Sequence, residues 1–254
     1  MKINELFLQT EKLAPVSISD EFCLAYNDRD NSGIIVETDK DIKSVLFTLD
    51  LTVNAVNYAI INGFDCVITH HPAIYHPLYR ISTNTAIYKA IQNGIGVISC
   101  HLNLDSTKGG IDECLAVGLG GKIEKGVHVF ESGCSYGKIS KMDGLTAGKI
   151  FENAKKEFRS DKIMLYGNPL NVVNSMASYC GAGLSESEVE NVKVDLYVSS
   201  DVKHSTILKV VDSGKNLIIL THYSSEFYGF SKFYEKLKSV LNVKCELLDE
   251  EIYL

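Results

Sequence analysis

Four of the seven histidines in this 254-residue chain stand where apolar runs stop. His70 and His71 follow CVIT, His101 follows GVISC, and His222 follows LIILT. In an open parallel sheet, loops and helix amino termini converge at the carboxyl ends of strands, and ligands bind there. Carboxylates stand at matching positions: Asp105 is four residues beyond His101, and Glu226 four beyond His222. If a helix opens at His222, that spacing puts His222 and Glu226 on one face, aimed at one point. His70 and His71 are adjacent, so in an extended turn their rings point apart and would serve two ions. Imidazole and carboxylate without cysteine suit zinc, iron, manganese, cobalt or nickel. Five of these groups, His70, His71, Asp105, His222 and Glu226, exceed the needs of one tetrahedral zinc. They suit two divalent ions about 3.5–4 Å apart that share a carboxylate and keep open positions for water, which the pair acidifies.

The other histidines read differently. His128 reads as a hydrogen-bonded cap, and His76 as a loop residue near the same cavity. His204 has only Asp201 beside it and reads as a contact to a metal ligand or to substrate rather than as a ligand. His101 lies outside the set of five, which frees it to carry a proton; the competing reading is that it orients Asp105. His101 and His204 are therefore the candidate catalytic residues.

The elements that must position these groups alternate. Residues 44–49 read as a strand, Thr52 opens a helix that Gly63 stops, and 65–69 read as the next strand. A second helix around Ile87 and Ala90 closes at Gly94 before a third strand at 95–100. Such alternation predicts an α/β fold with a parallel sheet and right-handed crossovers. Six glycines in 118–137 mark a candidate domain boundary. Beyond it come a helix near 146–158 and strands near 163–166 and 172–179. Strand, histidine, helix, glycine, strand, histidine then returns over 195–222, which suggests a duplicated unit. A helix at 227–240 and a strand at 244–249 close the pattern.

Composition narrows the partners. The chain is 45% hydrophobic and 22% charged with net charge −7, values of a globular protein and unfavourable for DNA. No apolar run approaches the roughly 18 residues of a membrane span, and the opening residues carry no signal-peptide core. Seven cysteines without a CxxC pair read as reduced thiols of a cytoplasmic protein. There is no Walker-type phosphate loop.

The segments ITHHPAIYHPLYRI, HLNLD followed by GGIDECLA, and THYSSE resemble the signature blocks of the Nif-three-like dinuclear metal-centre family, the GTP cyclohydrolase 1 type 2 homologues. Asp30-Asn31-Ser32-Gly33 is similar to its WDNSGL block, and Cys180–Gly183 (CGAG) and Ser199–His204 (SSDVKH) to motifs of its second domain. The resemblance covers nearly the whole chain. It implies that His70, His71, Asp105, His222 and Glu226 hold two metal ions. It also implies two similar α/β domains, residues 1–125 with 223–254 and, inserted between them, 126–222, and a toroidal homohexamer. The activity implied is metal-dependent hydrolysis of a small molecule, a nucleotide such as GTP, by water activated on the metals. The alternative is a metal-binding carrier or interaction protein without turnover. The chain departs from the family pattern in lacking tryptophan, in Leu102 where threonine is common, and in Thr221 where glycine is common. None of these removes a ligand.

Overall fold

The computed structural model describes residues 1–250 and divides into two compact units, residues 1–107 with those from Phe230 on, and Lys108–Gly229. The second unit is thus an insertion in the sequence of the first. The closing residues 251–254, which the first expected domain included, lie outside the described residues.

In the first unit, helices α1 (Ile3–Glu11) and α2 (Val16–Tyr26) precede strand β1 (Gly33–Val36). Then come β2 (Ser44–Thr48), α3 (Val53–Ile61), β3 (Cys66–Thr69), α4 (Ala86–Asn93), β4 (Gly96–Ser99) and α5 (Leu102–Ser106). The sheet runs β1-β4-β3-β2-β11, where β11 is Lys244–Leu247. Strands β4, β3, β2 and β11 are parallel, and β1 is an antiparallel edge. Every residue of β2, β3 and β4 is buried, as a parallel sheet covered on both faces requires. Helix α3 starts where the Thr52 hydroxyl accepts the Ala55 N–H at 2.9 Å, an N-cap. Helix α4 ends on Gly94, whose φ of +62° is the left-handed cap that glycine adopts without strain. Val56, Ala59, Ile87 and Ala90 of these helices pack on Leu46, Val67 and Val97 of the sheet. Phe47 packs edge-on against Tyr234, ring centroids 5.1 Å apart, and also meets Phe230. Both partners come from α10 (His222–Val240), whose residues from Phe230 on belong to this unit. Removing a ring as buried as Phe47 costs about 3–5 kcal/mol.

The second unit starts with α6 (Ile111–Gly118) and a hairpin of β5 (Lys122–Val129) and β6 (Ser135–Lys141). It continues through α7 (Ala147–Glu157), β7 (Met164–Tyr166), β8 (Ser175–Ser178), α8 (Glu186–Asn191), β9 (Leu196–Ser199), α9 (His204–Asp212) and β10 (Asn216–Ile219). Its sheet order is β5-β6-β8-β9-β10-β7, with β8, β9 and β10 parallel. Both units therefore hold a run of parallel strands, four in the first and three in the second, with antiparallel pairing at the edges. Of the glycines at 118–137, Gly118 ends α6 and three fall in the β5–β6 hairpin, where Gly126 and Gly137 would collide with Ser135 and Tyr179 if they carried a Cβ.

No described helix is long and apolar enough to cross a membrane. All seven cysteines are free thiols.

Candidate metal centre

In the first unit, β3 delivers His70 and His71 and β4 delivers His101. The chain turns as β3 stops: the amides of both His70 and His71 reach the Leu49 carbonyl, at 3.1 and 2.9 Å. The Thr69 hydroxyl braces the turn by donating to the His71 carbonyl at 2.8 Å. This double anchoring breaks strand alternation, so the two rings do not point apart as the sequence suggested; their centroids are 4.8 Å apart. His70, His71 and His101 each offer a ring nitrogen, and these nitrogens lie within 4.8 Å of one another. Asp105 joins them from α5, with Oδ1 3.5 Å from His70 Nε2. His70 and Asp105 are both buried.

Each ring has its Nδ1 occupied. That of His70 meets the Cys100 carbonyl at 2.8 Å, that of His71 the Asp50 carboxylate at 2.8 Å, and that of His101 the Asp30 carboxylate at 2.9 Å. A carbonyl can only accept, so the His70 proton sits on Nδ1; the two carboxylates favour the same tautomer. Every ring then presents Nε2. Such outer partners are the usual companions of metal-ligating histidines, because they hold the ring and raise its basicity. Burial opposes ionisation of Asp30, but the His101 ring and the Ser19 and Ser32 hydroxyls outweigh it, and the carboxyl is held down at about 2. Burial pushes the neighbouring Cys100 thiol up to about 12, so it stays protonated at neutral pH.

The second unit contributes a separate pair. Helix α10 does begin at His222, and the i,i+4 spacing brings His222 Nε2 to 3.0 Å from Glu226 Oε1. His222 Nδ1 meets Asp201 at 2.7 Å, repeating the arrangement of the first unit. Gly181, with φ +56°, lies beneath both side chains: a Cβ there would stand 2.7 Å from Glu226 Oε1 and 3.4 Å from His222 Nε2.

The remaining histidines fall outside these groups. His128 Nε2 pairs with Glu188 at 3.0 Å. His76 is exposed beside Tyr75, and His204 is exposed at the start of α9. Sequence reasoning passed over Asp50, the Asp30 side chain, the Cys100 carbonyl, the orienting role of Asp201, and Gly181. Asp50 was open to discovery by the logic that found the histidines, since it stands just beyond β2.

Two α/β units with imidazole and carboxylate groups at strand ends define the class: an α/β protein with a candidate metal-holding site. The chain matches the model of the Duf34/NIF3 (NGG1p interacting factor 3) family over residues 1–251 and belongs to that family. It is 29% identical to the GTP cyclohydrolase 1 type 2 homolog of Methanocaldococcus jannaschii, over 98% of this chain and 100% of that protein. It is 25% identical to the NGG1-interacting factor 3 of Saccharomyces cerevisiae over 86% of each chain. Among solved structures, reduced HcgD from Methanocaldococcus jannaschii superposes with a TM-score of 0.82 at 28% identity, covering 98% of both chains. Staphylococcus aureus hypothetical protein SA1388 shares the fold with a TM-score of 0.85 at 23% identity, over 100% of this chain and 98% of that one.

Proposed function

We propose that this protein is a metal-dependent hydrolase in which His70, His71, Asp105, His222 and Glu226 hold two divalent cations and act on a small substrate of the nucleotide class. The observation that carries the reading is that all three proposed ligand histidines, His70, His71 and His222, spend Nδ1 on a carbonyl or carboxylate and so present Nε2. Hydrogen-bonded core histidines have no reason to share one orientation, whereas metal ligands do. The donor set, imidazole and carboxylate with no thiolate, fits zinc, iron, manganese, cobalt or nickel.

When bound, the two cations would activate water and polarise the substrate. The chain's own residues supply the rest. His101 moves a proton at Nε2, with Nδ1 held by Asp30. His204, exposed, meets the substrate. The reading extends to a homohexamer in the cytoplasm. Its support is the family resemblance, together with large apolar side chains left open, such as Leu24 at 87% and Tyr79 at 95% exposure.

Elemental analysis of the purified chain, followed by assay of GTP and other nucleotides with and without chelator, tests this. Two equivalents of metal and chelator-sensitive turnover are expected. Bound metal without turnover of any nucleotide would favour a carrier, and absence of metal would remove the centre.

A further inference from the structure

Lysine is seldom fully buried, yet Lys138 of β6 is 1% exposed. Its ammonium donates to the Ser135 carbonyl and to the Ser135 hydroxyl, the latter at 2.7 Å, and stands 3.8 Å from Asp112 Oδ2. Asp112, on α6, is buried completely. Its other oxygen accepts the backbone N–H of Cys180 at 3.1 Å. Cys180 opens the turn whose next residue, Gly181, lies against Glu226 and His222. The same turn is tied to α10 directly, since the Gly181 N–H donates to the Ser225 hydroxyl at 3.3 Å, which in turn donates to the His222 carbonyl at 2.8 Å.

The geometry points to Lys138 and Asp112 as positioning residues for the His222–Glu226 half of the metal centre: the buried pair sets the height of the Cys180–Gly181 backbone, which is the floor on which both ligands rest. The inference rests on the metal reading above. The physical reason is that Gly181 leaves no slack. A backbone so close to Glu226 that a single methyl would collide transmits any shift of the turn to the carboxylate. The Asp112 carboxyl fixes that backbone by accepting the Cys180 N–H, and the Lys138 ammonium, tied to Ser135, stands beside its other oxygen and holds it in place.

A pair kept only for stability behaves differently from one that positions a turn. Replacing a buried ion pair by apolar residues of similar volume is commonly neutral or stabilising, whereas removing one partner is costly. The test therefore compares Lys138→Met with the double variant Lys138→Met/Asp112→Leu in the full chain. Zinc affinity is read by competition with a chromophoric chelator, and thermal unfolding and amide exchange at Cys180 and Gly181 are read on the metal-free chain. The double variant should recover the unfolding temperature, yet bind zinc roughly 10–100-fold more weakly at one of the two sites, the loss typical of a removed supporting contact. Its Cys180 amide should exchange faster than in the wild type. Lys138→Arg should bind within a few-fold of wild type. Zinc affinity and Cys180 protection equal to wild type in the folded double variant overturn the proposal and leave the metal reading intact. A wild-type chain that binds no zinc overturns the metal reading instead, and unchanged Cys180 protection would then still refute the positioning of the turn.

Discussion

Asp50 Oδ1 lies 2.8 Å from His71 Nδ1, which joins the end of β2 to the end of β3 at the edge of the candidate centre. Asp50 is 45% exposed on its side chain, so the contact is screened and its worth lies in orientation rather than stability. Asp50→Ala should leave the unfolding temperature within a degree or two. It should weaken metal binding by roughly 10–100-fold, measured by chelator competition. Unchanged affinity would mean that His71 holds its orientation without the carboxylate.

The ligand set makes a sharper prediction. The triple variant lacking His70, His71 and His222 should lose both metals while keeping its far-ultraviolet circular dichroism. Glu226→Gln should lose at least one of them. Full metal retention in the folded triple variant, read by elemental analysis, would place the ions elsewhere.

Asp30 links the site to acid stability. Its carboxyl has an ordinary value of 3.8 and is held at about 2 in the fold, so the folded state prefers the anion. The stabilisation is full above 3.8 and is lost as pH falls through about 2, and for a buried group it amounts to about 2 kcal/mol. Asp30→Asn should therefore be less stable than wild type at neutral pH, with the gap closing under acid. A gap in denaturant unfolding that stays constant from neutral pH down to the acid limit would contradict the assignment.

His101 separates two roles. If it moves a proton, His101→Ala keeps both metals and cuts turnover by roughly 10²–10⁴-fold. If it only orients Asp105, metal affinity falls by about 10–100-fold instead. Elemental analysis and steady-state kinetics on one variant decide between them, and a variant unchanged in both would exclude each.

Gly181→Ala places a methyl on a left-handed backbone and against Glu226. Both effects destabilise, by more than about 1 kcal/mol together, and zinc binding should weaken with them. Calorimetry and zinc titration on the same sample would check this, and a variant with native affinity would show that Glu226 can yield.

The first unit was open to sequence reading because its signals are local. Buried strands such as Val45–Phe47 and Cys66–Thr69 are short apolar runs, Thr52 is a cap, and Gly94 is a stop, each legible within a few residues. The His222–Glu226 pair was legible for the same reason: helical spacing alone puts those side chains on one face. The β5–β6 hairpin was not, because its alternation is weak and its glycines answer close approaches by Ser135 and Tyr179, which no local pattern reveals. Asp30 and His101 are 71 residues apart, Asp50 and His71 21 apart, and nothing local to Lys138 marks it as buried. Sequence alone determined which side chains stand at the strand ends. Tertiary structure decided how they are aimed, because Nδ1 partners, a turn that pairs His70 with His71, and a buried ammonium are set by strand order and by contacts between residues distant in the chain.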